Sequence, residues 1–388
     1  MVTAVVVILL APFVVLTAFF VLEVLAGLRS IRADSQPPAG ASAVIVIPAH
    51  DEAAVIGETL RTLMTDLPQG TRVLVIADNC TDATARLARE AGADVLERSD
   101  PERRGKGHAL AFAAEALKDD PPDVFAVLDA DCRMDGASIR ALVRVAASGR
   151  PAQAINLLRP DRTSPPLVQI STFAFLLKNL VRQRGLQRLA GRVHLTGTGM
   201  AMPYALFRAS GDVRSSIVED LALGLELSQA GYEPSLVSDA TVWSSGSNET
   251  GTLTQRRRWE GGFLAAALRQ GPKMLFQGLS RGKWADLLAG LDLLVPPLAL
   301  FGFLNGAVLA AAVLLTWMLD LGWWPVSIHA ALLAFAGLAI FLVWRREGRE
   351  FISIGVLARL PLYVLWKLPM YVGLVRRGTP REWLRTGR

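Results

Sequence analysis

The stretch VFAVLDAD, residues 124–131, decides the fold class. Its apolar part, Val124 to Leu128, has the length and composition of a buried β-strand. Asp129 and Asp131 follow directly, and carboxylates at the turn after a strand can converge on one polyphosphate site. Carboxylate oxygens suit Mg2+ or Mn2+, which usually binds one or two of them together with phosphate oxygens. A solvated loop is the alternative, because an Asp-x-Asp pair alone is a weak motif.

Short apolar runs also alternate with amphipathic stretches upstream of this strand, which is typical of parallel βαβ units. The predicted elements are a strand from Val44 to Ile47, a helix from Ala53 to Thr65, a strand from Val73 to Ala77 and a helix from Asp82 to Ala91. Ligands of such sheets bind outside the carboxyl ends of the strands. The residues after the first two strands are therefore candidates for binding: Pro48, Ala49, His50, Asp51, Glu52, Asp78 and Asn79.

The apolar residues, 52% of the chain, are concentrated at its two ends. Residues from Met1 to Leu22 carry no charge, and about 20 such residues suffice to cross a bilayer as a helix. A cleaved secretory signal is the alternative, but Arg29 and Arg32 follow the apolar run instead of preceding it. The pattern indicates an uncleaved anchor whose basic flank places the next domain in the cytoplasm.

The C-terminal part contains two further apolar runs, Leu293 to Leu319 and Val326 to Trp344, which we expect to enter the bilayer. The segment from Phe351 to Val375 is interrupted by Arg359 and Lys367. We predict an interfacial or partly re-entrant helix there, because a third C-terminal span would put the terminal arginines on the wrong side of the membrane.

The formal net charge is +6, but the arginines gather beside apolar segments, where anionic lipid headgroups are the simpler partner. No nucleic-acid motif is present, so we expect no nucleic-acid partner. Cys80 and Cys132 cannot form a disulfide framework and are interpreted as small packing residues. The basic, apolar segment from Pro166 to Leu189 is predicted to be an amphipathic helix, either on the membrane or in the protein core.

A second carboxylate pair, Glu219 and Asp220, opens the helix-patterned stretch IVEDLALGLELSQAG, residues 217–231. Acidic residues in a first helical turn are normal capping chemistry, which is one interpretation. The other makes Asp220 a general base, because sugar transfer with inversion needs a carboxylate that accepts the proton of the acceptor hydroxyl.

Two basic motifs complete the set. In QRRRW, residues 255–259, a guanidinium can neutralise a departing diphosphate and Trp259 can face a sugar ring, whereas binding of anionic lipid is the alternative. The string RGKGH, residues 104–108, precedes a helix predicted to start near Ala109 and lacks the spacing of a Walker loop. His50, His108 and His194 do not form a zinc pattern.

In this order the motifs resemble the family-2 inverting glycosyltransferases, especially the membrane synthases related to cellulose, hyaluronan, chitin and poly-N-acetylglucosamine synthases. The resemblance covers Ala43 to about Gln270. It implies an α/β fold, the GT-A Rossmann-like domain, flanked by transmembrane and interfacial helices. The expected organisation is a transmembrane helix at 1–28, a linker at 29–42, a cytoplasmic catalytic domain at 43–270, interfacial and transmembrane helices at 271–375 and a basic tail at 376–388.

The resemblance also implies a role for each motif, although His50 and Asp51 stand where Tyr-Asn is usual and Val218 replaces a threonine. Asp220 is then the catalytic base and Asp131 the metal ligand, with Asp78 recognising uracil. The implied donor-binding residues are Pro48, Glu52, Asp78, Lys106, Asp129 and Arg258. The implied acceptor-binding residues are Thr198, Gly199, Glu219, Gln255 and Trp259.

The function that follows is transfer of a sugar from a UDP-sugar, with Mg2+ or Mn2+, to a growing exopolysaccharide at the inner membrane. One alternative is a single addition to a lipid acceptor such as ceramide or a polyprenyl-linked sugar. The other is an inactive donor-binding subunit of a polysaccharide secretion complex. A homo-oligomer or a secretion partner subunit would supply a wider channel. The sequence leaves open the sugar, the linkage and the acceptor.

Overall fold

The computed structural model describes residues 3–31, 40–210, 219–246 and 249–378. The chain forms two compact units. We call the one that comprises Ser30–Arg159 and Gly191–Ser245 the sheet unit. The other, which we call the helical unit, comprises Met1–Arg29, Pro160–Ala190 and Gly246–Arg388.

The strands of the sheet unit are β1 Ala43–Ala49, β2 Thr71–Asp78, β3 Asp94–Arg98, β4 Val124–Val127, β5 Cys132–Arg133, β6 Ala152–Leu158, β7 Met200–Pro203 and β8 Ser235–Ser244. They form one sheet in the order β3-β2-β1-β4-β7-β6-β8-β5. The helices are α2 Ile56–Thr65, α3 Thr84–Glu90, α4 Lys106–Ala116, α5 Gly136–Ala147, α8 Tyr204–Ala209 and α9 Glu219–Gln229. The pairs β1–β2, β1–β4 and β2–β3 are parallel, whereas β7 runs antiparallel to both β4 and β6.

The predicted strands are confirmed, because β1 and β2 contain two of the apolar runs and β4 covers the third except for its last residue, Leu128. All seven residues of β1 are buried, as expected for a parallel strand covered on both faces. Ile45 and Ile47 point into one core, and Val44 and Val46 point into the other. This alternation follows from the two-residue period of a strand. The sheet is thus held between two layers of helices.

The helix starts differ from the predicted ones. α2 begins at Ile56, not Ala53, and α3 at Thr84, not Asp82. α4 begins at Lys106, three residues before the predicted start, because Gly105 takes a φ of 122° that ends the preceding loop. Lys106 is therefore fixed on the first turn of a helix and not on a loop.

The helical unit contains α1 Thr3–Gly27, α6 Pro166–Leu176, α7 Gln183–Ala190, α10 Glu249–Arg281, α11 Trp284–Leu294, α12 Leu298–Met318, α13 Trp324–Val343, α14 Ile354–Leu357 and α15 Leu360–Arg377. A π-helical segment, Leu177–Arg182, joins α6 to α7. In the described part of the chain, three helical segments are long and apolar enough to cross a membrane. They are Thr3–Gly27, Leu298–Met318 and Trp324–Gly348, which match the three apolar runs predicted from the sequence.

The segment from Phe351 to Val375 forms the short helix α14 and the helix α15, and neither is among these three candidates. Lys367, which interrupts the apolar run, has only 1% of its side chain exposed and pairs with Glu260 on α10. Tyr371 also donates a hydrogen bond to Glu260, at 2.7 Å. The charge of Lys367 is thus neutralised inside the helical unit.

The segment from Pro166 to Leu189 fits the core interpretation, since most of α6 and of the π-helical segment is buried. Arg182 donates to Glu23 on α1 at 2.6 Å and also bonds to Asp292 on α11. All three side chains are at most 9% exposed. The arginine therefore ties three separate helices together.

Replacing Arg182 with methionine should destabilise the protein by about 3–5 kcal/mol, because two carboxylates would stay buried without their cation. Unfolding of the detergent-solubilised protein measures this. The triple variant Glu23→Met, Arg182→Met, Asp292→Leu should recover most of the loss, since an apolar replacement of a whole buried ion cluster is often neutral. A single-variant cost below about 1 kcal/mol, the range of surface pairs, would contradict the assignment.

Candidate active site

Three parallel strands, β1, β2 and β4, end at the same edge of the sheet. The chain continues from β1 into His50, Asp51 and Glu52, β2 ends in Asp78, and β4 leads into Asp129. The loop before β7 reaches the same region, because the backbone N–H of Asp129 donates to Thr198 Oγ1 at 3.1 Å. Polar groups distant in sequence therefore meet at this edge.

Lys106 lies at the centre of this cluster. Its ammonium bonds to Asp129 Oδ1 and donates to the backbone carbonyl of Gly197 at 2.6 Å. Burial alone would lower the pKa of Lys106, but the carboxylates of Asp129, Glu219 and Asp220 raise it above its ordinary value. One cation thus faces both predicted carboxylate pairs.

The absence of a side chain at Gly197 leaves room for the Asp220 carboxylate near this lysine. A Cβ at Gly197 would lie 3.0 Å from Asp220 Oδ2 and 3.5 Å from Lys106 Nζ. Its φ of +82° is also one that favours glycine. Gln153 fixes the loop, because it accepts from the backbone N–H of Thr196 and donates to the carbonyl of Thr198, both at 2.9 Å. The loop backbone is therefore part of the site.

Replacing Gly197 with alanine should lower any sugar-transfer activity by about 10–100-fold, because a catalytic group misplaced by roughly 1 Å can cost about 10²-fold. Gly92→Ala is a matched control, since Gly92 has a φ of +88° and its Cβ would meet nothing within 4 Å. Initial rates of the two purified variants test this. Equal losses in both would mean that backbone strain alone, and not the contact with Asp220, is responsible.

Glu219 is held beside Asp220 at the start of α9. Burial, followed by the charge of Asp220, raises the pKa of Glu219 to about 7, from an ordinary value of 4.5. Charge at Glu219 is therefore disfavoured in the folded protein.

The folded state then binds the Glu219 proton more tightly than the unfolded state, so stability falls as the pH rises from 4.5 to about 7. Glu219→Gln should remove this part of the pH dependence. Thermal unfolding of both proteins across this range measures it. Identical pH profiles would show that Glu219 titrates normally.

Asp131 completes a group that can hold a cation. The side-chain donor atoms of Asp129, Asp131 and Cys132 lie within 4.8 Å of one another. Burial, followed by the charges of Asp131 and Asp129, raises the pKa of the Cys132 thiol well above its ordinary value, so it stays a poor metal ligand. Lys106 already occupies one oxygen of Asp129. Carboxylate oxygens such as those of Asp129 and Asp131 are the ligands that a hard cation such as Mg2+ or Mn2+ prefers.

A second group of this kind, Asp51, Cys80 and Asp82, was not predicted as a metal site. Asp51 Oδ1 accepts from the backbone N–H of Thr81 at 2.7 Å, and Asp82 Oδ2 accepts from that of Ala53 at 3.1 Å. These carboxylates join the loops after β1 and β2. Glu52 belongs to the same junction, because its backbone N–H donates to Thr84 Oγ1 at 2.8 Å. Pro48 is buried within β1.

The remaining predicted residues, Gln255, Arg258 and Trp259, lie on α10 in the helical unit. Arg256, which belongs to the same motif but was given no predicted role, is buried and donates to Ser171 Oγ at 2.9 Å. Its guanidinium lies 5.3 Å from the centre of the Trp259 ring. Trp259 is thus supported by a neighbouring cation, and its contact with an acceptor sugar stays a prediction.

Comparisons with known proteins agree with this arrangement. The family described as "Glycosyltransferase like family 2" matches residues 38–262, more than half of the chain. A mannosyltransferase of Pyrobaculum calidifontis, solved with GDP-mannose and Mn2+, has a TM-score of 0.57 and 17% identity, covering 95% of this chain and 100% of its own. At that identity the likeness shows the fold alone, which is GT-A.

Curated relatives match over shorter stretches. An uncharacterized glycosyltransferase of Mycobacterium tuberculosis is 34% identical over 105 residues, 27% of this chain and 44% of the relative. A low-salt glycan biosynthesis hexosyltransferase of Haloferax volcanii is 37% identical over 76 residues, 20% of this chain and 17% of the relative. The matches thus span less than half the length of these relatives. Because the family match extends over more than half of the chain, the chain belongs to the glycosyltransferase like family 2, and its fold is GT-A.

Proposed function

We propose that this glycosyltransferase transfers a sugar, with inversion, from a UDP-sugar to an acceptor hydroxyl at the cytoplasmic face of the inner membrane. The observation that carries the proposal is that Lys106 pairs with Asp129 and is near enough to Glu219 and Asp220 for their charges to act on it. Lys106 is thus close both to Asp129, the proposed donor-binding acid, and to Asp220, a separate carboxylate that can act as a base.

Each residue has a distinct task in the proposed reaction. Asp131, with Asp129, would hold Mg2+ or Mn2+, which supplies charge neutralisation to a diphosphate. Asp220 accepts the proton of the acceptor hydroxyl while the oxygen of that hydroxyl forms a bond to the anomeric carbon. The bond between that carbon and the diphosphate oxygen breaks, and the nucleoside diphosphate leaves with the electron pair. Lys106 holds Asp129 in place and lowers the cost of negative charge in the site.

The proposed location rests on the three helices that are long and apolar enough to cross a membrane. We retain the arrangement predicted from the sequence, with a catalytic domain at 43–270 between an N-terminal anchor at 1–28 and the helices of 271–375. Arg29, which follows the first candidate span, favours a cytoplasmic catalytic domain by the positive-inside rule. Arg258, Gln255 and Trp259 are proposed to serve the donor diphosphate and the acceptor.

Two acceptors are compatible with this chemistry. Repeated addition to an exopolysaccharide is the expectation from the resemblance to membrane synthases. A single addition to a lipid-linked acceptor is favoured by the presence of only three candidate spans among the described residues, because a translocated polysaccharide needs a channel. The glycan-biosynthesis hexosyltransferase among the relatives also supports a hexosyl donor.

Purified protein in nanodiscs, given Mn2+ and a panel of radiolabelled UDP-sugars with membrane lipid extract, tests the proposal. We expect release of UDP with one of the sugars, together with a labelled product. A high-molecular-weight product would support repeated addition, and a discrete glycolipid would support single addition. Transfer from GDP-sugars alone would overturn the proposed donor.

A further inference from the structure

Asp78, at the end of β2, is paired with Arg98, which lies opposite it at the end of β3. Arg98 Nη1 is 2.5 Å from Asp78 Oδ1, and the two side chains are 8% and 4% exposed. Asn79 Nδ2 donates to the same oxygen at 2.9 Å. This carboxylate is therefore nearly buried and is paired with a cation.

Arg98 is itself fixed by the loop that follows β3. Its Nη2 donates to Asp100 Oδ2 at 3.1 Å and to the carbonyl of Arg103 at 2.7 Å. The backbone N–H of Asp100 donates in turn to Asn79 Oδ1 at 2.8 Å. These bonds form a ring through Asp78, Arg98, Asp100 and Asn79, which fixes the guanidinium and the position of Asp78 Oδ1.

Among the residues that the structure describes, the hydrogen bonds to the Asp78 carboxylate end on Oδ1. The backbone carbonyl of Asp78 is bonded to His50 Nδ1, at 2.7 Å. Because a carboxylate has two oxygens, Oδ2 stays available to accept from a ligand at the carboxyl edge of the sheet. The site thus presents one anionic acceptor oxygen.

We propose that Arg98 is a positioning residue that sets nucleobase selectivity, by holding Asp78 so that Oδ2 accepts a single base N–H. This inference rests on the proposed function and deepens it. Uracil offers one such donor at its pairing edge, N3–H. Guanine offers two adjacent donors that need both carboxylate oxygens, and cytosine offers an acceptor nitrogen that a carboxylate repels. Arg98 thereby favours uracil without touching the base.

Calorimetric titration of the full-length protein with UDP and CDP, in the presence of Mn2+, tests this through the ratio of the two dissociation constants. The wild type should prefer UDP by at least about tenfold, the value of one charged hydrogen bond. Arg98→Met and Arg98→Lys should each reduce that preference to about threefold or less. Arg89→Met, which removes an exposed arginine from a surface pair with Glu97, should leave it unchanged.

A merely structural role would lower the stability of the Arg98 variants and leave the UDP to CDP ratio intact, and that result would overturn the inference. If Arg98→Met does not fold, Arg98→Lys and the wild-type preference remain decisive, since a wild type that binds UDP and CDP equally well also overturns it. The titrations require no turnover, so they test the role of Arg98 independently of the proposed function. UDP binding without any sugar transfer would contradict the proposed function alone.

Discussion

Sugar transfer by the Asp220→Asn variant is expected to be slower than that of the wild type by about 10²–10⁴-fold, the usual contribution of a general base. The asparagine amide has nearly the same size as the carboxylate, but it cannot accept the proton of the acceptor hydroxyl. The side chain should still fit against Gly197 and Lys106, since only one oxygen is replaced. The change therefore removes the chemistry with little change in shape.

Release of nucleoside diphosphate and formation of labelled product measure this effect, with UDP binding recorded in parallel. Binding should stay within about threefold of the wild type, because the role proposed for Asp220 concerns the acceptor and not the donor. Glu90→Gln serves as a control, since Glu90 lies in an exposed pair with Arg86. Full turnover by Asp220→Asn would show that another group takes the proton.

The second large effect is expected for Asp131→Asn, which should lose activity together with its dependence on Mn2+. A bound cation stabilises the leaving diphosphate by several kcal/mol, which corresponds to about 10²–10³-fold in rate. An amide is neutral, so the variant should bind the ion much more weakly. Rates measured over a Mn2+ titration should therefore be low and flat.

Asp82→Asn is the matched control for the metal, because Asp82 belongs to the other group of acidic side chains within reach of one another. Its oxygens already accept from the backbone N–H groups of Thr84 and Ala53. We expect it to keep the Mn2+ dependence of the wild type. Loss of that dependence in Asp82→Asn, with Asp131→Asn unaffected, would move the cation to the other group.

The strands of the sheet unit were predictable because parallel strands that are buried on both faces read as continuous apolar runs, as in β1 and β4. The rule that ligands bind at the carboxyl ends of such strands then placed Asp129 and Asp78 at one edge. β7, Met200–Pro203, was not predicted. It has four residues and no strong pattern, and its antiparallel pairing with β4 is decided by tertiary contacts.

The centre of the site was harder to predict than its members. The sequence indicated that Lys106 lies near the donor, but its bonds to Asp129 and to the carbonyl of Gly197 join residues that are 23 and 91 positions apart. The second bond is to a backbone atom, which no residue pattern identifies. The pairing of Asp78 with Arg98 could not be predicted either, because the register of β2 against β3 decides which side chains are opposed.

The partners of charged residues within apolar segments could not be predicted from the sequence. Lys367 interrupts the apolar run of 351–375, and Arg182 lies in the basic, apolar segment of 166–189. Each is buried with an acidic partner more than 100 residues away in the chain. Periodicity in a single segment cannot reveal such partners, since it reports only which residues share a face.

The position of Mn2+ in a structure of the protein bound to UDP and Mn2+, located by its anomalous scattering, is the most direct test of the proposed site. We expect a single Mn2+ at the carboxylate of Asp131, with the diphosphate on the side of Lys106 and Asp129. A Mn2+ ion at Asp51 and Asp82, or a diphosphate bound away from Lys106, would contradict the proposed site.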